Sequence, residues 1–395
     1  MFGLKLSHLV AAMIAVLLGY SSSAAIIFQA IDTVGASPAQ ATSWMLALGL
    51  GMGLTSLILS LRYRMPILTA WSTPGAALLA ISLGGVSLGD ATGAFVFCAV
   101  LLTLTGLTGW FERLSHLIPD ALGSAMLAGI LFRFGMGVFT SMTEDLPLVA
   151  IMCATYLAGR RFAPRYAIPL VLVAGCAWCW GTGQFDTDLT IDWSLAQPVF
   201  TMPSFSLPVL IGVGLPLYIV TMSSQNIPGV VTLKAAGYRP PVSASITVTG
   251  LASLLLAPFG GYAFNLAAIT AAICGGPEAD DNPATRYKAV AAAGVLYCIV
   301  GLMGGAIIGL FLIAPKPLVI TLAGLALLNT INASLSAALS RPDHRDAALV
   351  TFMATVSGVT LMGIGAPLWA LIFGGCTQLV LGLRRRAARE GAAQA

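Results

Sequence analysis

Apolar residues along this chain gather into fourteen stretches separated by short polar breaks: 7–31, 38–61, 66–83, 90–110, 117–139, 145–159, 166–182, 206–228, 240–258, 260–275, 286–312, 317–339, 347–364 and 366–383. A helix needs about 20 mostly apolar residues to cross a bilayer. A series of such runs predicts an all-α polytopic membrane protein with 14 transmembrane segments. Composition agrees: 58% of residues are hydrophobic, 9% are charged, and the mean hydropathy is +0.92. Soluble domains average about 25% charged residues, so an ordinary cytosolic enzyme is excluded. A disordered chain is excluded too, because it would be poor in apolar residues.

The net charge of +4 is small, but the placement of the basic residues carries information. With the N-terminus in the cytoplasm, the inner segments hold Lys5, Arg62, Arg64, Arg113, Arg160, Arg161, Arg165, Lys234 and Arg239. They also hold Arg286, Lys288, Arg341, Arg345, Arg384, Arg385, Arg386 and Arg389. Of the 19 Lys and Arg, that leaves Lys316 outside and Arg133 within a span. This is the bias of the positive-inside rule, and it places both termini in the cytoplasm. The longest outer loop, 183–205, carries Asp186, Asp188 and Asp192 and no basic residue. Seven spans precede it (residues 1–182) and seven follow (206–383), so the second half is inverted relative to the first, a plan common in secondary transporters. Residues 384–395 form a cytoplasmic tail, whose arginines suit anionic headgroups. Lys5 and the following apolar run mimic a signal peptide, but thirteen further spans argue for an uncleaved first helix.

Irregular backbone inside a membrane is tolerated where protein buries it or where it lines a cavity. Two spans are broken at matching places in the two halves, the best sequence pointer to a binding site. The third reads Pro66-Ile-Leu-Thr-Ala-Trp-Ser-Thr-Pro-Gly75, and the tenth Pro258-Phe-Gly-Gly-Tyr-Ala-Phe-Asn265-Leu-Ala-Ala-Ile-Thr. Each predicts an extended segment meeting a half-helix, with Pro74 in the first turn and Ser72 or Thr73 as the cap of the first one. Two half-helix N-termini would offer unpaired amides and partial positive charge to an anion without a lysine or arginine. An apolar body would rest on Trp71, Tyr262 or Phe264, with Asn265 as a polar partner. Packing kinks are the competing explanation.

The first span of each half is also polar at its middle: Tyr20-Ser-Ser22-Ser and Gln29 in span 1, Ser223-Ser224-Gln225-Asn226 before Pro228 in span 8. Gln225 and Asn226 need partners in hydrocarbon. Cavity lining explains them, and interhelical hydrogen bonding is the alternative. Arg133 is read as snorkelling to the outer interface, with a substrate role as the alternative. Glu278, Asp280, Asp281, Arg286 and Lys288 are read as a solvated loop, and His8, His116 and His344 as interfacial. Cys176-Ala-Trp-Cys179 lies in a hydrophobic helix and reads as two small apolar residues. No cofactor, metal or nucleic-acid site is expected.

Thr69-Ala-Trp-Ser-Thr-Pro-Gly75, Ser223-Ser-Gln-Asn-Ile-Pro-Gly229, the stretch Pro258–Ala272 and Cys274-Gly-Gly-Pro-Glu278 resemble the BenE family of benzoate/proton symporters, and the likeness runs over essentially the whole chain. That family is distantly similar to nucleobase–cation symporters and sulfate-permease-type anion carriers. The resemblance implies a 7+7 inverted repeat, with spans 1–4 and 8–11 as a core domain and spans 5–7 and 12–14 as a gate domain. It implies strands leading into half-helices in spans 3 and 10, beside a site formed by Tyr20, Ser22, Trp71, Ser72, Thr73, Ser224, Gln225, Asn226, Tyr262, Phe264 and Asn265. The nucleobase carriers place glutamates near the positions of Ser224 and Phe264; their absence here suits an anionic substrate.

The implied activity is secondary import of an aromatic carboxylate, benzoate or a relative, coupled to protons, across a bacterial inner membrane. Its partners are the substrate, the lipid bilayer and, in one assembly, a second copy in a homodimer. Alternating access would proceed by an elevator or a rocking motion. A transporter or channel for another small organic or inorganic anion is the alternative. A primary pump is disfavoured because no GxxxxGK[ST] motif is present, and an enzyme because no catalytic grouping of His, Asp and Glu appears in the spans.

Overall fold

A computed structural model describes residues 4–111, 120–186, 193–277, 279–361 and 366–394, without side chains at 21, 22, 120, 165, 235, 269 and 382–394. Arg113, His116, Asp188, Asp192 and Glu278 therefore lie outside the described residues, as do the side chains of Ser22, Arg165, Arg384, Arg385, Arg386 and Arg389. The first half contains α1 (Leu6–Thr33), α2 (Pro38–Tyr63), β1 (Thr69–Trp71), α3 (Thr73–Ser82), α4 (Leu88–Thr108), α5 (Asp120–Thr140), α6 (Leu146–Phe162) and α7 (Ala167–Gly181). The second contains α8 (Leu207–Lys234), α9 (Val242–Leu256), β2 (Phe264–Leu266), α10 (Ile269–Gly275), α11 (Tyr287–Leu302), α12 (Gly304–Ile313), α13 (Lys316–Leu339), α14 (Arg345–Ser357) and α15 (Ala366–Gln394). Eight of these, α1, α2, α4, α5, α8, α9, α11 and α13, are long and apolar enough to cross a membrane among the described residues. The fold is a mostly helical membrane-protein bundle.

The departures from expectation have local causes. The eighth stretch continues past Pro228 to Lys234 because a π-helical turn, Met222–Asn226, precedes the proline. Pro228 then sits in the first turn of the resumed helix Ile227–Ala235, where its missing N–H is tolerated. The eleventh is interrupted at Met303, ahead of Gly304 and Gly305, giving α11 and α12. The thirteenth ends at Ser357, because Gly358 takes the left-handed conformation (φ 68°) that closes a helix. The expected tail is helical to Gln394.

Helices pack in pairs: α2 on α11, α4 on α9, α5 on α13, α6 on α7 and α14 on α15. Association in lipid relies on close van der Waals contact, and small residues permit it. On α2, Gly49 faces the backbone of Gly301, and a Cβ there would strike it; Gly51, on another face, receives the ring of Phe264. In the middle of this packing β1 and β2 run antiparallel, Thr69 opposite Leu266, Ala70 opposite Asn265 and Trp71 opposite Phe264. Pairing satisfies backbone groups that a lone extended segment would strand in an apolar interior. Neighbouring side chains complete it. Ser253 Oγ accepts from Phe264 N–H (2.9 Å), and Asn226 Oδ1 accepts from Leu266 N–H (3.1 Å). Thr69 Oγ1 bonds Thr55 and Ser56 of α2 (2.6 and 2.8 Å).

The loop after α10 corrects an expectation. Asp280 and Arg286 are buried, not solvated, and His8, at the start of α1, is fully buried beside them. Asp280 Oδ1 accepts from Lys5 Nζ (2.8 Å) and Asn282 N–H (3.1 Å), and Oδ2 from Thr285 Oγ1 (2.7 Å) and His8 Nε2 (2.9 Å). His8 Nδ1 accepts from Lys5 N–H, which puts the neutral ring's proton on Nε2. Arg286 donates to the carbonyls of Asp280 and Gly275, closing the end of α10. The bond from Lys5, followed by those from Thr285 and Asn282, holds the Asp280 carboxyl far below the usual carboxylate range. The charges pair across the fold, so the loop ties the start of α1 to the segment between α10 and α11.

Candidate functional site

Between α1, the β1–α3 junction, α8, α11 and α13 lies a cavity of about 460 Å³, within the size range of small-molecule sites. No residue on its wall is charged. Trp71 and Tyr297 supply aromatic surface, and Thr73, Ser224, Gln225, Thr270 and Thr330 supply neutral polar groups. Trp71 is fixed from behind: its Nε1–H donates to Ser23 Oγ (2.9 Å), and Tyr20 meets its ring edge-on with centroids 4.8 Å apart. Gln225 has no hydrogen-bond partner among the described residues, nor has the Thr73 hydroxyl, so both remain available to a ligand.

The α3 start forms as Ser72 and Pro74 predict, with Ser72 Oγ accepting from Gly75 N–H (3.0 Å). The cap limits the expected anion site. Pro74 has no amide proton, Gly75 is taken by Ser72 Oγ and Ala76 donates to the Ser72 carbonyl (2.7 Å). Of the first four amides of α3, Thr73 alone is left for a ligand. α10 has seven residues and no side-chain cap, and its first three amides, at Ile269, Thr270 and Ala271, have no intrahelical acceptor.

Of the residues expected at the site, Trp71, Thr73, Ser224 and Gln225 line this cavity together. Tyr20 lies one layer behind Trp71, and Ser72 is buried beneath α3, where it also accepts from Thr221 Oγ1 (3.1 Å). Asn226 is turned away to hold β2. Tyr262 packs against Trp44 and Phe95, and Phe264 lies over Gly51. Asn265 Nδ2 donates to the Ala263 carbonyl (3.0 Å), beside a left-handed φ of 40° at Ala263. A non-glycine residue rarely adopts that conformation, and the Asn265 bond stabilises it. These four residues build the strand pair rather than the cavity wall.

Ser23, from the serine run expected at the polar middle of span 1, lines the cavity, and so, without having been singled out, do Tyr297, Thr270, Asn329 and Thr330. A signal existed for the last two: Asn329-Thr330-Ile-Asn332 interrupts an apolar helix as the polar run of span 8 does. Asn329 Oδ1 accepts from Arg160 Nη1 (2.6 Å), which brings a guanidinium one side chain away from an otherwise neutral site.

The family described as Benzoate membrane transport protein matches residues 3–380 of the chain. A protein of that description from Acinetobacter baylyi is 38% identical over 378 residues, covering 95% of each chain. Inner membrane protein YdcO of Escherichia coli is 47% identical over 383 residues, 97% of this chain and 98% of that one. Among solved structures, the transmembrane domain of the cyanobacterial bicarbonate transporter BicA superposes with a TM-score of 0.58 at 16% identity, covering 93% of this chain and 97% of that one. SLC26A9 gives the same TM-score at 12% identity, over 94% of this chain and 65% of that one. The shared fold is that of anion-transporter membrane domains, and the neutral cavity at the strand pair sits within it. Matched by its family over residues 3–380, the chain is a membrane transporter and belongs to the benzoate membrane transport protein family.

Proposed function

We propose that this transporter imports a benzoate-like aromatic carboxylate, coupled to protons, through the cavity beside the strand pair. One observation carries the reading: the wall combines aromatic faces with unpaired neutral donors and holds no carboxylate. Trp71 and Tyr297 suit a phenyl ring, and Gln225, Thr73 and Ser224 suit carboxylate oxygens. A negative side chain there would oppose an anion by several kcal/mol (about 3 kcal/mol at roughly 5 Å and an effective dielectric of about 20). The name of the Acinetobacter relative points to the same substrate class. The bicarbonate carrier of like fold favours a second reading, a small inorganic anion. Aromatic surface on the wall argues against it.

The proposed frame is fourteen spans in a 7+7 inverted repeat, with both termini cytoplasmic. The packing pairs support it, since exchanging each span n of the first half with n+7 of the second converts α2 on α11 into α9 on α4, and α6 on α7 into α14 on α15. The β1–β2 pair and the α5–α13 pair map onto themselves. The same pairs support a division into a core (α1–α4 and α8–α12, with both strands) and a gate (α5–α7 and α13–α15), which would put the cavity on their seam. Alternating access follows if that seam opens to one side at a time.

Uptake of labelled benzoate into proteoliposomes, with and without an inward proton gradient and against protein-free vesicles, tests the proposal. Saturable uptake above the empty control, raised by the gradient and undiminished by excess bicarbonate, is expected. Uptake equal to the control, or abolished by bicarbonate, contradicts the aromatic reading.

A further inference from the structure

A second cavity, of about 470 Å³, lies along the same seam where α1 ends and α13 begins. On α1 it is lined from Phe28 to Thr33, against Gly19 and Ser23 at the central cavity, an offset of roughly ten residues or roughly 15 Å of helix. Under the proposed topology this is the outer end. Its wall differs in kind. Arg133 and Lys316 bring two positive charges and Asp32 one negative. Among the described residues none of these side chains makes a hydrogen bond or ion pair with another, although they share one cavity. Arg133, read as reaching the outer interface, lines this space. Its Nη1 lies against Gly358, where a Cβ would come within 3.0 Å. The C-terminal end of α14 there favours a cation, yet the guanidinium donates no hydrogen bond to it. Lys316, read from the sequence as an outer-loop residue, is a second wall cation.

Two further observations point to a ligand. The Gln29 Nε2 donor is buried beside this wall with no acceptor, an unfavourable arrangement unless something accepts from it. Phe28 and Phe311 stack here, centroids 5.5 Å apart and planes 17° from parallel, giving an apolar face beside the charges. We propose that this cavity is a second binding site, an outer vestibule that captures a monovalent aromatic carboxylate before it reaches the central cavity. Arg133 and Lys316 with the Gln29 amide receive the carboxylate, and the ring lies on the phenylalanine stack. Two cations against Asp32 leave a formal charge of +1, which one monoanion neutralises and a dianion overfills. The proposal rests on the carboxylate reading of the function but on a different set of residues.

Equilibrium binding of labelled benzoate to the purified full chain separates the two sites. Wild type is expected to bind about two benzoates per chain. Thr330→Trp, which fills the central cavity, keeps about one. Adding Arg133→Gln to it weakens the remaining site about tenfold, the loss of one charge-assisted contact. Arg133→Lys weakens it less, which distinguishes lost charge from lost fold; Ala326→Phe serves as a second filler if Thr330→Trp is not monodisperse. A Thr330→Trp protein that is folded and binds none, or an Arg133→Gln change under twofold in that background, overturns the vestibule. Failure of the central site looks different: Thr330→Trp binds as wild type does and Arg133→Gln removes the binding. Absence of binding to wild type contradicts both sites.

Discussion

The Asp280 cluster and the central cavity are both polar regions in an apolar bundle, and they treat their hydrogen-bonding groups in opposite ways. Around Asp280 all four acceptor positions of the carboxylate are filled by donors from α1, its own loop and the turn before α11. Around the cavity, Gln225 and the Thr73 hydroxyl are left without a partner among the described residues, while Ser23 on the wall and Ser72 and Asn226 behind it are committed. A satisfied network fixes a geometry, and an unsatisfied group on a cavity wall keeps capacity for a ligand. The difference separates structural polarity from binding polarity without reference to any relative.

Substitutions sharpen the contrast. The largest effect on the fold is expected from Asp280→Asn, which removes the charge that Lys5 and His8 face. The thermal midpoint in detergent should fall by several degrees with benzoate affinity little changed. An unchanged midpoint would break the comparison. Protonation does the same work. With its carboxyl held below the usual range, Asp280 contributes stability that is fully present above the unfolded value of about 3.9. That stability is lost as pH falls through the lower folded value, so Asp280 gives a flat midpoint from pH 8 to 5 and a decline below about 4. Gln225→Ala should act the other way, weakening benzoate binding about tenfold and leaving the midpoint within about 1 °C, since it removes one contact to a charged group. Ser72→Ala removes the α3 cap and should cost about 1 kcal/mol of stability. Lys5→Gln should cost less than Asp280→Asn, because Lys5 is 61% exposed and water screens its charge, while Thr285, Asn282 and His8 still hold the carboxylate.

Much of this was legible in the chain itself. The apolar runs located the helices, although the eleventh holds two and the eighth, thirteenth and fourteenth miss the observed ends by six residues or more; Pro74 after Ser72 placed the α3 start, because that signal acts locally. Pro258-Phe-Gly-Gly likewise announced that the chain would not enter β2 as a helix. What stayed hidden depends on which face a residue presents after packing. Asn226 and Asn265 look like ligand contacts in the sequence, yet the strand pair takes Asn226 Oδ1 and the Ala263 carbonyl takes Asn265 Nδ2. Asp280 looked solvated because Lys5 and His8, which bury it, lie some 270 positions away. Tyr297 was invisible for a similar reason: a lone tyrosine in an apolar helix carries no sign of the cavity it faces.

In the proposed mechanism the central cavity binds a carboxylate with neutral groups. Benzoate affinity of Gln225→Glu at pH 8, against wild type and Gln225→Ala, tests it most directly, because the change adds a charge while keeping the shape. A weakening of roughly 100-fold, well beyond that of Gln225→Ala and relieved as the pH is lowered, is the predicted result, corresponding to about 3 kcal/mol of repulsion. An affinity within twofold of wild type in the folded variant would contradict it and move the carboxylate away from Gln225.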